Sequence, residues 1–318
     1  MASAWKLKQA MTPYPENSTG TPLFSIVIPV YNDWIPLNQC LQSLSQQSNA
    51  PCFEVIIADD GSKEPAPEFI RQWTRSFPLT LVQQPHMGIA AARNLGIRAS
   101  SGSMLVFVDA DCQLEPNCLA ELHSTIANSP RHSSFQLHVI GDRSSLVGKI
   151  EELRLATFQT HTLQSDGCIR YLNTSGFAIR RDRVNVEAGL FDPAALRGED
   201  TLLLANLVLK GELPFFAVNA VVVHAVQLSL VKYFGKGVQS AYFEARTYDI
   251  IAAKGVTIRV THEERLRLLV SMWKTADQPS IGHLAWIGLA IRQGLRLMVF
   301  FLSYRSPHQR LKSHHSAN

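Results

Sequence analysis

Two aspartates one residue apart have the clearest chemical potential in this sequence. Asp109 and Asp111 follow a run of five apolar residues, 104–108, which predicts a strand buried on both faces of a parallel sheet. Ligands bind at the carboxyl ends of strands in open α/β sheets, so this pair predicts a site for a divalent cation that meets a diphosphate. An isolated Asp-x-Asp also fits an acidic turn, and its meaning therefore depends on the rest of the chain.

The elements that would position this pair alternate between strand and helix. Apolar residues at positions 37, 40, 41 and 44 recur at the spacing of one helix face, and they lie between two apolar strands. Strand, helix and strand in this order predict a βαβ unit with a right-handed crossover. The predicted elements are strands over 23–32, ended by Pro29, over 53–58 and over 79–83, and helices over about 37–44 and from Gly88 onward.

Four segments at the ends of these strands stand out together. They are 25–32 (Ser-Ile-Val-Ile-Pro-Val-Tyr-Asn), 59–62 (Asp-Asp-Gly-Ser), Gly88 with 92–94 (Ala-Arg-Asn), and 108–111 (Val-Asp-Ala-Asp). In order and spacing they resemble the nucleotide-binding half of family 2 glycosyltransferases of the GT-A fold. The resemblance implies a Rossmann-like α/β fold, with a mostly parallel central sheet flanked by helices and a C-terminal helical extension. It also implies an inverting enzyme that depends on a nucleotide sugar.

The resemblance assigns nucleotide-binding roles to residues of the first two strand ends. Pro29, Val30 and Tyr31 would line the base and the ribose. Asp60 would accept a hydrogen bond from the imide of uracil, since a carboxylate only accepts and favours a base edge that presents an N–H. Gly88 would let the backbone approach the nucleotide closely.

The resemblance also implies a metal and diphosphate site. Arg93 would reach back to the base or the diphosphate, because its side chain is permanently charged and has several donors. Asp111 would be the direct ligand of Mg²⁺ or Mn²⁺, and Asp109 would bind the ribose or, through water, the metal. His224 ends a predicted buried strand, where it would complete the metal shell or serve as a structural histidine.

The acceptor side of the predicted site comes from the second half of the resemblance. Segment 170–181 is strand-like with small residues at its centre, so Thr174 or Ser175 would contact donor hydroxyls or phosphate, unless the segment is a tight turn between strands. Glu199 and Asp200 open a predicted helix, whose dipole their charges complement. The resemblance places Glu199 with the donor and makes Asp200 the base that deprotonates an attacking hydroxyl. A plain helix cap is the structural alternative.

Charge divides the chain unevenly. Residues 1–224 carry 17 Lys and Arg against 21 Asp and Glu, whereas residues 225–318 carry 13 against 5. A basic segment of this kind suits an anionic surface such as phospholipid headgroups. The predicted organisation is a flexible leader over 1–22, a GT-A domain over 23–228 with a nucleotide-binding half (23–112) and an acceptor half (113–228), and a basic helical extension over 229–318.

The composition of the extension indicates whether it could span or bind a membrane. The longest apolar run in it, 284–291, is far shorter than the roughly 20 residues needed to span a bilayer. A basic helix over 283–305 is therefore expected to lie on a membrane surface or to pack against the catalytic domain or a partner. The five cysteines form no Cys-x-x-Cys pair and the first 20 residues lack an apolar core, so we expect a cytoplasmic protein, peripheral at the cytoplasmic face of the inner membrane if the helix binds lipid.

The leading functional hypothesis is a metal-dependent inverting glycosyltransferase that uses a UDP-sugar. Its acceptor would be a hydroxyl of a growing glycan, a lipid-linked glycan or a small molecule, and no motif indicates nucleic acid. One alternative is a polyprenyl-phosphate sugar transferase, which attacks with a phosphate oxygen and needs no base. Another is a non-catalytic protein that binds sugar nucleotides. Segment 129–148 is too irregular to assign.

Overall fold

The computed structural model describes residues 10–11, 21–193, 195, 197–256, 268, 271–273 and 282–303. The strands in these ranges are β1 (Ala10–Met11), β2 (Phe24–Val30), β3 (Phe53–Asp59), β4 (Leu79–Gln83), β5 (Met104–Phe107), β6 (Cys112–Leu114), β7 (Ser134–Gly141), β8 (Phe177–Arg180) and β9 (Phe215–His224). The α-helices are α1 (Trp34–Ser45), α2 (Ile89–Ala99), α3 (Cys118–Asn128), α4 (Leu146–Thr162), α5 (Glu199–Leu209), α6 (Leu230–Ala253) and α7 (His283–Ser303), with short 3₁₀ helices at Glu68–Arg75, Thr174–Gly176 and Arg181–Arg183.

One sheet organises the described part of the chain, in the order β1-β4-β3-β2-β5-β8-β7-β9-β6. Strands β4, β3, β2 and β5 run parallel, as the βαβ pattern predicts. Strands β7 and β9 also pair parallel, whereas the pairings β1–β4, β5–β8, β7–β8 and β6–β9 are antiparallel, so shorter antiparallel pairings join the parallel strands in one sheet. The fold is the expected α/β class, with helices flanking a central sheet.

Strand β2 is buried along its whole length because helices cover both of its faces. Ile26 and Ile28 belong to the same core cluster as Leu37 and Leu41 of α1. Helix α2 packs on the other face, where a Cβ on Gly96 would lie 2.4 Å from Val27 Cγ1. This close packing requires glycine at position 96, and it fixes the start of α2 beside the end of β2.

Pro29 does not end β2, contrary to the sequence prediction. It pairs in register with Ala58, and the strand continues to Val30. Val27 O accepts a hydrogen bond from Val108 N, so the odd-numbered residues of β2 direct their backbone polar groups toward β5. Since β5 reaches only the position opposite Val27, Pro29 lies beyond its partner's end and no ladder hydrogen bond is lost there.

Two other regions differ from expectation. The unassigned segment contains β7 and the start of α4, and the buried Gln136 in β7 donates from Nε2 to Gly176 O, 2.8 Å away. Within the predicted flexible leader, Ala10 and Met11 pair with β4, while 1–9 and 12–20 lie outside the described residues.

The C-terminal helices α6 and α7 pack against helix α4. Val147 and Ile150 of α4, Tyr233 of α6, and Ala285 and Leu289 of α7 are buried together in one apolar cluster. No helix in the described ranges combines the length and apolar character that a membrane span requires. The predicted surface helix extends to residue 305, and its last two positions lie outside the described residues.

Candidate functional site

A cleft of about 1250 Å³ opens at the carboxyl ends of the parallel strands. Its size exceeds the roughly 300–1,000 Å³ of a typical small-ligand pocket, so it has room for two substrates. Arg93 and Ser175, both predicted site residues, do not line it. The predicted residues that do are Pro29, Val30, Tyr31, Asp60, Gly88, Asp109, Asp111, Glu199, Asp200 and His224.

An aromatic pair stands at the β2 side of the cleft. The rings of Tyr31 and His86 are stacked, with their centroids 4.1 Å apart and their planes inclined by 20°. Both rings line the cleft and offer a flat surface of the kind on which a nucleotide base stacks. The sequence analysis missed His86, because a single histidine in the loop after β4 belongs to no motif.

Asp60 holds the loop that follows β4. Its carboxylate accepts hydrogen bonds from Gln84 Nε2 (2.7 Å), Met87 N (2.9 Å) and Gly88 N (2.8 Å), and it lies 2.8 Å from His86 Nδ1. These four contacts occupy the acceptor sites of a carboxylate. Asp60 is only 3% exposed, so a contact with uracil requires one of these donors to move.

The backbone conformation at position 61 explains why a glycine follows the two aspartates. The φ of Gly61, +76°, is left-handed, and a Cβ there would lie 2.7 Å from His86 N. Asp59 beside it accepts hydrogen bonds from Ser62 N and Gln83 Nε2. The Asp-Asp-Gly-Ser segment therefore ties the ends of β3 and β4 together.

Arg93 lies beneath the cleft and joins two of its acids. Its side chain is 1% exposed, and it donates from Nη2 to Asp109 Oδ1 (2.8 Å) and from Nη1 to Glu199 Oε1 (2.9 Å). Ser175 Oγ donates to the other oxygen of Asp109, 2.7 Å away. Both oxygens of Asp109 are thus committed to protein donors, and Arg93 fixes the start of α5 relative to the end of β5.

Asn94, the next residue, secures the chain on the way to α5. Its Nδ2 donates to Phe191 O, and its Oδ1 accepts from Leu190 N and Phe191 N. Gly189 has a φ of +86°, and a Cβ there would lie 2.5 Å from Asn94 Cγ. The Ala-Arg-Asn segment therefore positions the segment before α5 as well as the acids.

Asp111 and His224 come together because β6 pairs with β9. The register sets Cys112 opposite His224, which leaves His224 Nε2 3.3 Å from Asp111 Oδ2. Donor atoms of Asp111, Cys112 and His224 all lie within 4.8 Å of one another. Burial followed by the charge of Asp111 raises the pKa of the Cys112 thiol well above its usual range, which argues against a thiolate ligand. Asp109 is not in this group.

A buried network supports His224 from behind. Its Nδ1 has no hydrogen-bond partner and lies 3.6 Å from Glu151 Oε1. Glu151 accepts hydrogen bonds from Tyr233 Oη (2.7 Å) and Arg154 Nε (3.0 Å), and the guanidinium of Arg292 lies 4.8 Å from the centroid of the Tyr233 ring. This network links α4, α6 and α7 to the end of β9, and no motif in the sequence predicts it.

The two acids beside His224 favour a positive charge between them. Burial lowers the pKa of His224, but Asp111 and Glu151 outweigh it and raise the pKa to about 10. With no metal bound the imidazole is therefore a cation, and a metal ion at Nε2 would replace its proton, because only the neutral imidazole can act as a ligand.

Asp200 sits apart from this group, at the first turn of α5. Thr174 Oγ1 donates to its Oδ1 (2.6 Å), and Thr174 N lies 3.4 Å from its Oδ2. Burial and then the charge of Glu199 raise the pKa of Asp200 to about 7, against the opposing effects of Arg93 and Thr174. A carboxyl group that ionises near neutrality and faces a cleft is suited to proton transfer.

Five arginine and lysine side chains of the described ranges also line the cleft. Arg197 Nη1 donates to Ser240 Oγ, 3.0 Å away, and Arg296 Nη1 donates to Gly237 O, 3.2 Å away. None of the five is among the predicted site residues, although Lys236 lies within the predicted basic extension. The cations are Arg154, Arg170, Arg197, Lys236 and Arg296.

Comparison with known proteins agrees with this geometry. The model of the family described as glycosyl transferase family 2 matches residues 25–187, just over half of the chain. The chain is 34% identical to glycosyltransferase AglE of Haloferax volcanii over 111 residues, 34% of this chain and 36% of the relative. It is 35% identical to chondroitin synthase of Escherichia coli over 114 residues, 35% of this chain and 16% of the relative. The chain thus spans little more than a third of these relatives at most.

Solved structures share the fold. Mannosyltransferase PcManGT of Pyrobaculum calidifontis, in complex with GDP-Man and Mn²⁺, superposes with a TM-score of 0.60 at 18% identity, covering 98% of this chain and 86% of that one. A fragment of S. aureus TarS in complex with UDP superposes with a TM-score of 0.52 at 16% identity, covering 90% of this chain and 91% of that one.

Proposed function

Because this chain belongs to glycosyl transferase family 2, and is a glycosyltransferase, we propose that its cleft moves a sugar from UDP to a hydroxyl acceptor with inversion at the anomeric carbon. The observation that carries the proposal is the separation of two acidic groups in one cleft. Asp111 and His224 form one group at the strand ends, and Asp200 lies outside that group, beside Glu199 at the start of α5.

The donor would lie along the strand ends. Its base would stack beside Tyr31 and meet Asp60, with Pro29, Val30 and Gly88 forming the backbone wall. His86 is the donor to Asp60 that would give way at least cost, since its side chain is 56% exposed. Asp109 and Glu199 would face the ribose and the sugar from positions fixed by Arg93, and Ser175 would hold Asp109 in place from outside the cleft.

A divalent cation fits the Asp111 and His224 group. A carboxylate oxygen and an imidazole nitrogen suit Mn²⁺, and Asp111 also suits Mg²⁺. Glu151, behind Nδ1 of His224, would orient the imidazole so that Nε2 faces the ion. When bound, the ion supplies positive charge that neutralises the departing diphosphate.

Asp200 would act as the base. Thr174 Oγ1 donates to Oδ1 at 2.6 Å, whereas Oδ2 has only the longer contact with Thr174 N at 3.4 Å. Oδ2 would therefore take the proton of the acceptor hydroxyl as the hydroxyl oxygen bonds to the anomeric carbon. The bond from that carbon to the diphosphate oxygen breaks, and the electron pair leaves with UDP. Attack opposite the leaving group inverts the configuration.

The test is the variant Asp200→Asn, with Asp182→Asn as a matched control whose carboxylate is 78% exposed on the surface. We expect the rate of transfer to fall about 100-fold or more in Asp200→Asn, the lower end for loss of a general base, while calorimetry shows unchanged binding of UDP with Mn²⁺. Transfer at the rate of the control would exclude Asp200 as the base.

The cations that line the cleft favour a second candidate, transfer to a polyprenyl phosphate. Arg154, Arg170 and Arg197 line the cleft and would attract an acceptor phosphate. Its oxygen is already ionised and needs no base. Transfer to polyprenyl phosphate that survives in Asp200→Asn would therefore favour this candidate over a hydroxyl acceptor.

A further inference from the structure

Helix α7 has two unlike faces. Ala285 and Leu289 are at most 1% exposed within the cluster shared with α4 and α6. On the same side, Arg292 lies over the ring of Tyr233 and Arg296 donates to Gly237 O. This inner face accounts for both arginines of the helix, so the outer face contains neither.

The outer face is an uninterrupted apolar surface. Five of its six members are three, four, seven and four residues apart, the spacing of one side of a helix, and Leu297 lies at the edge of that side. The first and last members are about 27 Å apart along the axis. The exposed Gly294 falls within the longest interval and adds no charge. We call this surface the apolar stripe; it consists of Leu284 (70% exposed), Ile287 (47%), Ile291 (51%), Leu297 (36%), Met298 (54%) and Leu302 (78%).

The chain around the stripe is basic. The sequence has no Asp or Glu after Asp277, whereas residues 278–318 contain five Lys and Arg. An apolar face on a helix that cannot span a bilayer, followed in the sequence by Arg305, Arg310 and Lys312, has the chemistry of a helix that lies in the headgroup region of anionic lipid. A second copy of the chain is a poorer occupant, because stripe-to-stripe pairing would bring two basic segments together.

We propose that the apolar stripe docks this protein on an anionic phospholipid surface. Docking itself does not depend on the transfer reaction proposed above. One consequence does rest on it: Arg296 both belongs to α7 and lines the cleft, so the docked cleft would open beside the headgroups. An acceptor attached to lipid could then reach Asp200 without leaving the membrane.

The test is flotation of the full chain with vesicles of phosphatidylcholine alone or with phosphatidylglycerol. We expect flotation with the anionic vesicles, loss of it at high salt, and at least a tenfold lower bound fraction for the double variant Ile287→Glu and Met298→Glu. Leu209→Glu is the control, since Leu209 is 53% exposed at the end of α5 and adds the same kind of charge elsewhere. Binding of UDP with Mn²⁺ verifies that each variant is folded.

Three results would overturn the proposal. They are a wild-type chain that does not float with anionic vesicles, a double variant that floats as the wild type does, and a wild-type dimer in light scattering that the double variant abolishes. The last would assign the stripe to a second copy. Unchanged UDP binding alongside any of them would leave the proposed transfer reaction intact, so the two proposals fail separately.

Discussion

At the scale of single residues, the environment of Asp200 sets how activity should depend on pH. Its pKa is raised to about 7, chiefly by burial, so the carboxyl is mostly protonated at pH 6 and mostly ionised at pH 8. A base must be ionised, and we therefore expect kcat to rise with pH through about 7 and then level off. The measurement is a pH profile of kcat at saturating donor and acceptor. A flat profile from pH 6 to 8 would contradict it.

Variants of Thr174 test the pKa of Asp200 more directly. The Thr174 hydroxyl stabilises the ionised form of Asp200, so Thr174→Val should move the pKa of Asp200, and the rise of kcat, to higher pH. Thr174→Ser retains the hydroxyl and should keep the wild-type profile. Equal profiles for the two variants would show that this hydrogen bond does not tune the base.

Among the site residues, we expect Arg93 to contribute most to the stability of the fold. Because it is the buried partner of both Asp109 and Glu199, Arg93→Met would leave two carboxylates without their counter-charge. Loss of one partner from a buried ion pair costs about 3–5 kcal/mol, and we expect a loss of that order in the free energy of unfolding. Urea denaturation measures it, with the exposed Arg71→Met as control. A loss equal to that of the control would contradict the buried bridge.

The identities of these residues were readable from the sequence, but their partners were not. Asp109 and Asp111 were predicted from their place after a strand together with the family resemblance, and Asp200 from the resemblance and its place at a predicted helix start. Arg93 was expected to reach the nucleotide, whereas its place beneath two acids depends on where α5 begins, 106 residues later in the chain. Local spacing contains no information on such a contact.

At the scale of elements, the contact between Glu151 of helix α4 and His224 at the end of strand β9 supports the group that would hold the metal. Glu151 lies behind His224, and loss of such a supporting carboxylate typically lowers metal affinity 10- to 100-fold. We expect Glu151→Gln to weaken Mn²⁺ binding in the presence of UDP by about tenfold, as measured by electron paramagnetic resonance of the free ion. Tyr233→Phe removes only one donor to Glu151 and should have a smaller effect. Wild-type Mn²⁺ affinity in Glu151→Gln would show that this network does not affect metal binding.

Elements formed from local apolar patterns were predicted well, and those that depend on distant partners were not. Strands β3 and β4 and the start of α5 lie where the sequence puts them. Strand β7 was missed even though Phe135, Leu137 and Val139 alternate along it. Gln136 lies on the opposite side of the strand and is also buried, and only its hydrogen bonds to the segment around Gly176 make that burial favourable. Whether strands pair parallel or antiparallel also depends on distant chain, so the antiparallel pairings could not be predicted.

At the scale of the whole molecule, helices α6 and α7 of the C-terminal extension belong to the same packed unit as the cleft. Leu289 is 1% exposed among side chains of α4 and α6, whereas Leu284, little more than one turn earlier on the same helix, is 70% exposed. Truncating a buried leucine costs about 2–5 kcal/mol, and an exposed substitution usually changes stability by less than about 0.5 kcal/mol. We therefore expect Leu289→Ala to lower the free energy of unfolding by that larger amount and Leu284→Ala to leave it nearly unchanged, as measured by urea denaturation. Equal and small effects would mean that α7 is separable from the cleft. A large effect of Leu289→Ala alone would show that the helix with the apolar stripe is anchored to the body that contains Asp200 and His224, so that docking the stripe also orients the cleft.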